Sequence, residues 1–236
     1  MKKDYRNWVA DSELVKFEVQ VEETDLQIQA DKNLTEEAKT ACVKYRKIIK
    51  KYGQHKLEFL TSLLPLPQDI TAPPIIQDML KAAQLTNTGP MAGVAGAVSE
   101  YVALDLLKNT PEIMIENGGD IFLKTNLKRK IGLYAGESVL TGKIALKIEP
   151  QDTPLAICTS SGTVGHSLSF GKADAAVILA KSGALADCAA TAIGNLVKKP
   201  TDIAMAIEWG QKIPGIKGIL IIVKDQIGAW GKITLD

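Results

Sequence analysis

Along the chain, apolar positions change between two periods, and the changes mark out the elements. Val15–Val21 and residues 26–30 alternate apolar with polar on either side of Glu22-Glu23-Thr24-Asp25, which predicts a β-hairpin. From Asn33, with Glu36 three residues on as a capping pair, the period becomes helical. Ala38, Ala41, Cys42, Tyr45, Ile48, Ile49 and Tyr52 form one stripe to about residue 52, and the opposite face is rich in lysine, as a solvated face is. Residues 55–64 predict a short helix ended by Pro65-Leu66-Pro67, and Pro74 opens another over 75–85. Residues 92–107 are small and apolar on all sides, so a buried helix with a tightly packed N-terminal end is expected.

The second half reads mostly as strands. Residues 112–116 and 121–124 are joined by Asn117-Gly118-Gly119-Asp120, where two central glycines suit a turn that needs positive φ. Further strands are expected over 129–135, 142–148 and 154–158, with a helix over 202–212 and a closing hairpin over 218–223 and 226–235. Between them, residues 158–195 pass from hydroxylic residues around two glycines and His166, through an apolar run at 175–180, to an alanine-rich helix. Strands arrive in antiparallel pairs around helix pairs, without βαβ alternation, so the expected class is α+β. The order approximates two ββααββ units in a single domain over 1–236, an internal duplication with halves of about 1–124 and 125–236.

Composition narrows the function classes. With 28 basic and 27 acidic residues, the net charge of +1 argues against a general polyanion binder, and 5% aromatics leave little for base stacking; no nucleic-acid partner is expected. No run approaches the ~18 apolar residues that span a bilayer, and no apolar segment follows Met1-Lys2-Lys3-Asp4, so the expectation is a cytoplasmic protein with no membrane partner. Cys42, Cys158 and Cys188 are odd in number and in no CxxC spacing, which suggests a reducing compartment and no structural zinc.

Four constellations could carry chemistry. Asp187 and Thr191 lie four apart on one helix face, among residues where an unpaired carboxylate is costly. One carboxylate and one hydroxyl are too few for zinc but fit magnesium, which keeps water and substrate phosphate as ligands. An aspartate offsetting the helix dipole fits the same residues. Asn117-Gly118-Gly119-Asp120 is either an ordinary turn or a place where the backbone meets a ligand whose polar edge Asn117 or Asp120 bonds. The run Thr88-Gly89-Pro90-Met91-Ala92-Gly93 packs helices closely or offers N–H groups to phosphate, though it has neither the GxGxxG nor the GKS/T form. Thr159-Ser160-Ser161-Gly162, with His166 beyond, offers hydroxyls and one of two histidines, yet no GxSxG elbow. His166 fits an acid or base, or a hydrogen-bonded structural residue.

Taken together, Glu22–Asp25, Gly89–Ala92, Glu116–Ile121, 158–166 and 185–192 resemble an uncharacterised prokaryotic ApbE-like family, over nearly the full length. More distantly the chain is similar to the ApbE flavin transferases, which use magnesium to split FAD, move FMN onto a protein threonine and release AMP; some members hydrolyse FAD to FMN and AMP. The resemblance implies two T-fold-like ββααββ halves, Mg²⁺ as cofactor, FAD as ligand or substrate, and an acceptor flavoprotein as partner. It implies magnesium at Asp187, Thr191 and the carbonyl of Ala92. It also implies nucleotide contacts at Gly89, Met91, Ala92, Asn117, Gly118, Gly119, Asp120, Thr159, Ser160, Ser161 and Gly162, with Asp187 and His166 catalytic. Where the transferases have a lysine after the alanine this chain has Gly93, and their Ile-Ile-Asp-Pro after the histidine is replaced by Ser167–Phe170. These departures put a carrier that binds flavin or nucleotide without catalysis, or an enzyme for another small ligand, beside the transferase reading. The closing hairpin and the long helix leave a homodimer open.

Overall fold

The computed structural model describes residues 13–136, 138–162 and 170–236. Its centre is an eight-stranded sheet in which every neighbouring pair is antiparallel. In spatial order it runs β1 (Val15–Val21), β2 (Thr24–Ala30), β3 (Ile113–Asn117), β4 (Asp120–Lys124), β7 (Leu155–Ser160), β8 (Ala175–Ala180), β9 (Ile216–Val223) and β10 (Gln226–Gly231). The strands β5 (Arg129–Gly132) and β6 (Ala145–Ile148) pair separately. Helices α1 (Thr35–His55), α2 (Leu57–Thr61), α3 (Pro74–Thr86) and α4 (Val94–Leu106) lie between β2 and β3 in the chain; α5 (Gly183–Leu196) and α6 (Ile203–Gly210) lie between β8 and β9. The protein is therefore α+β, with six helices and an antiparallel eight-stranded sheet among the described residues.

Period-2 alternation divides the strand residues between two cores. Ile113, Ile115, Phe122, Ala156, Cys158, Ile178 and Ile221 belong to the core shared with the helices. Met114, Leu123, Leu155, Ile157, Val177, Leu220 and Ile222 belong to a second core with Ile131, Leu133, Leu146 and Ile148 of the β5–β6 segment. Burying each of the larger aliphatic or aromatic side chains fully is worth about 1.5–3 kcal/mol, so both faces stabilise the sheet. The run 175–180 shows no alternation because β8 is covered on both sides; all six residues are buried, and it is a central strand that period alone does not reveal.

Several boundaries differ from the sequence expectation for identifiable reasons. Asn33 Oδ1 accepts from the N–H of Thr35 at 2.9 Å as a local turn, and Leu34, not Asn33, sits at the helix start. Residues 92–107 split into a 3-10 turn, Pro90–Gly93, and α4. The last strand stops at Gly231, whose φ is +76°, instead of running to 235. Glu22–Asp25 has a structural role: Arg46 of α1 bonds Glu22 and Glu23 at 2.6 Å each and reaches Thr24 Oγ1, tying the first hairpin to the helix.

Candidate functional site

The site lies where the N-terminal ends of α4 and α5 meet the ends of β3, β4 and β7. Two small helices approach backbone to backbone here. A Cβ on Gly96 would overlap the carbonyl oxygen of Gly183, and one on Gly183 would overlap that of Gly96. That closeness lets each helix cap the other. The start of α4 has no capping side chain of its own; instead Asp187 Oδ2, from α5, accepts from the N–H of Gly96 at 2.9 Å. Reciprocally, Glu100 Oε2 of α4 accepts from the N–H of Gly183 at 2.7 Å. Each carboxylate stands four residues after its own helix's glycine: Gly96-Ala-Val-Ser-Glu100 and Gly183-Ala-Leu-Ala-Asp187.

Below these caps, Asn117 donates its Nδ2 to the carbonyl of Ala95 at 3.2 Å, and Ser99 Oγ lies 3.2 Å from the carbonyl of Asp120. Asp120 itself is buried at the start of β4 and accepts from the N–H of Thr159 at 3.2 Å. Gly118 and Gly119 take φ of +66° and +108°, as the turn requires, and a side chain at either would meet nothing within 4 Å. The turn is thus open to a ligand. Ala92, Ala95, Asn117, Ser160, Asp187 and Thr191 keep partial exposure amid buried neighbours.

The electrostatics are dominated by carboxyls in one small volume. Burial, reinforced by Glu116 and offset by the Thr159 N–H and the Cys158 thiol, pushes Asp120 up to about 7. Asp187 is raised well above the usual carboxylate range, by its crowded surroundings and then by the charge of Asp120; the N–H groups of Gly96 and Ala95 offset this only in part. Burial pushes the Cys188 thiol up to about 12 and raises Cys158 well above its ordinary value, so both cysteines stay protonated and unreactive.

Glu100 is pushed up to about 7, first by burial and further by Asp78, against the opposing hydrogen bonds from Gly183 and Ser182. Its ordinary value is 4.5, so between 4.5 and 7 the folded protein holds a proton that the unfolded chain has released. Stability from this group is present below that window and is lost as pH rises through it. Glu100→Gln should therefore flatten the stability–pH curve between those limits, measured by denaturant unfolding; an unchanged slope would show that Glu100 does not titrate there.

The structure brings Asp120, Asp187, Asn117 and the Gly118-Gly119 turn together, with Thr191 one helical turn beyond Asp187. Thr159 contributes its N–H, while strand register turns its side chain to the β5–β6 side, beside Val177. Gly89 and Met91 hold the 3-10 turn, and Gly89 is pressed against the backbone of Ser62. The helix-start N–H groups are already in use: Val94 donates to Met91, and Ala95 and Gly96 to Asp187. Phosphate cannot take them without displacing those bonds. A Cβ at Gly93 would lie 2.8 Å from both the Ala184 oxygen and Cys188 Sγ, so no side chain fits where the transferases carry lysine. His166, and Ser167–169 with it, lies outside the described residues. Glu100 was missed from sequence, although its Gly-to-acid spacing repeats that of Gly183 and Asp187.

Two kinds of comparison place this chain. The model of the family described as AbpE bacteria matches residues 6–229. The chain belongs to that family. The AbpE relatives include the UPF0280 protein MJ1526 of Methanocaldococcus jannaschii, 40% identical over 219 residues, covering 90% of this chain and 89% of that protein. The UPF0280 protein of Methanosarcina acetivorans is 37% identical over 224 residues, 93% of this chain and 87% of that one. Among solved structures, the flavin transferase ApbE from Vibrio cholerae aligns with TM-score 0.58 at 18% identity, over 93% of this chain and 97% of that one. The ApbE protein of Thermotoga maritima aligns with TM-score 0.56 at 13% identity, over 91% and 96%. The AbpE chain described above therefore has the ApbE-like fold.

Proposed function

We propose that this protein binds FAD or a related nucleotide together with Mg²⁺ in the cleft between α4, α5 and the Asn117–Asp120 turn, and cleaves the diphosphate to release AMP. The acceptor is water or the threonine hydroxyl of a partner flavoprotein. The observation that carries the reading is the adjacency of Asp120 and Asp187. Asp187, raised by burial and by the charge of Asp120 beside it, is a hard oxygen donor that a divalent cation would relieve.

Asp187, the Thr191 hydroxyl and the Ala92 carbonyl would hold the ion. Bound there, it would neutralise charge developing on the diphosphate. Around it, Gly96 and Ala95 orient Asp187 through their N–H groups, and Asn117 fixes the end of β3 against α4. The open Gly118-Gly119 backbone gives a flat ring a surface to lie on. The two-half topology, ββ-helices-ββ twice within one sheet, supports the T-fold-like reading of each half. A second reading, a nucleotide carrier without catalysis, is favoured by Gly93, where packing excludes the lysine of the flavin transferases.

Incubation of the purified protein with FAD and Mg²⁺, with and without EDTA, separates the readings. Magnesium-dependent appearance of AMP is the expected result. Quenched flavin fluorescence with no AMP would establish the carrier, and neither signal would overturn both.

A further inference from the structure

On the opposite side of the sheet from the carboxyl cleft lies a cavity of about 170 Å³, floored by Leu155 and Leu179 of the second core. Its charged rim carries Lys147, Glu149, Asp152, Lys217 and Lys232. The acids of this rim are already engaged: Lys232 pairs with Asp152, and Lys128 with Glu149 at 3.0 Å, while Lys147 pairs with Asp236 at 2.6 Å. The side chains of Lys217 and of Lys181, just past β8, have no ion-pair or hydrogen-bond partner among the described residues.

The fold puts Lys217 there by a specific irregularity. Leu179 opposes Gly218 but Ala180 opposes Ile216, so Lys217 is the extra residue of a β-bulge in β9. Such a bulge re-aims the side chain it carries. The carbonyl of Lys217 accepts from the N–H of Lys232 at 2.8 Å, and Gly231, at φ +76°, is pressed so close to that carbonyl that no Cβ fits. These contacts fix Lys217 and Lys232 side by side. Lys181 follows Ala180, which opposes Ile216 beside the bulge. Burial, then Lys181 and then Lys232 lower the Lys217 ammonium below its ordinary value, with Asp152 opposing.

We infer that Lys217 and Lys232 at this cavity, with Lys181 near them, form a binding site for a small tetrahedral oxyanion of the phosphate class. A dianion answers two unpartnered ammoniums and draws Lys232 from its exposed pair with Asp152, which is worth little by itself. The helix-side cleft is not involved, so this site stands or falls separately from the proposed function.

The test is titration of inorganic phosphate into the full chain, following backbone amide shifts of Lys181, Lys217, Gly218 and Lys232 by NMR. Saturable shifts at these positions are expected, with sulfate competing. Lys217→Gln should weaken binding roughly tenfold, with unfolding unchanged, whereas Lys39→Gln, the same loss of charge on exposed α1, should not. Absence of saturation, equal weakening by both variants, or binding of citrate in preference to phosphate would each overturn the site.

Discussion

Asp187→Asn should keep the fold and reduce magnesium-dependent AMP release from FAD to background. The side chain has two duties that the substitution separates. As a cap, it accepts from the Gly96 N–H at 2.9 Å, and an asparagine oxygen can do the same. As the proposed metal ligand it must supply negative charge, which asparagine cannot. A metal ion contributes several kcal/mol to a charged transition state, and at about 1.4 kcal/mol per factor of ten its loss is roughly a thousandfold in rate. The apo form should be at least as stable as wild type at neutral pH, because a carboxyl raised by burial and by Asp120 is replaced with a neutral group. Asp187→Ala, which also removes the cap, should in addition lose about 1 kcal/mol of stability. Wild-type AMP release by Asp187→Asn would remove Asp187 from the reaction.

Gly96→Ala should be among the most destabilising single changes in the protein. The added methyl overlaps the carbonyl oxygen of Gly183, a backbone atom that no rotamer change can move aside. Overpacking typically costs 1–3 kcal/mol, and here the upper end, about 3 kcal/mol, is expected. For a chain of this size that lowers Tm by roughly 6–12 °C. Separating the helices would also lengthen both reciprocal caps, so metal-dependent activity should fall with stability. Gly194→Ala on α5, the helix that carries Gly183, is the control: its new Cβ would have its nearest neighbours at 3.5–3.6 Å, an ordinary contact. That change should be close to neutral, or stabilising by about 0.5–1 kcal/mol from the helix preference for alanine. Equal unfolding midpoints for the two variants would refute the close helix crossing.

Local chemistry was legible because its causes are local. The first hairpin, the stripe of α1, the proline that opens α3 and the Asn117–Asp120 turn each follow from the period of a few residues or the φ that a glycine permits. The helix holding Asp187 and Thr191 was readable in the same way, and so was their shared face. What failed was β8, whose six residues are buried on both sides and so carry no period to read. The capping of α1 was misjudged because Asn33 found a nearer partner in Thr35.

The sequence by itself determined the α+β class, the antiparallel pairing of neighbouring elements and the presence of a carboxylate that needed a partner. Only the tertiary structure decided what that partner is. The N–H of Gly96 and Asp187 are 91 residues apart, and the N–H of Gly183 and Glu100 are 83 apart. No local pattern specifies which of many small helical faces will meet, because that choice depends on how closely two backbones can approach once the sheet has set their positions. Two glycines without side chains allow that approach, and the helix ends, left with unsatisfied donors, draw in the carboxylates that face them.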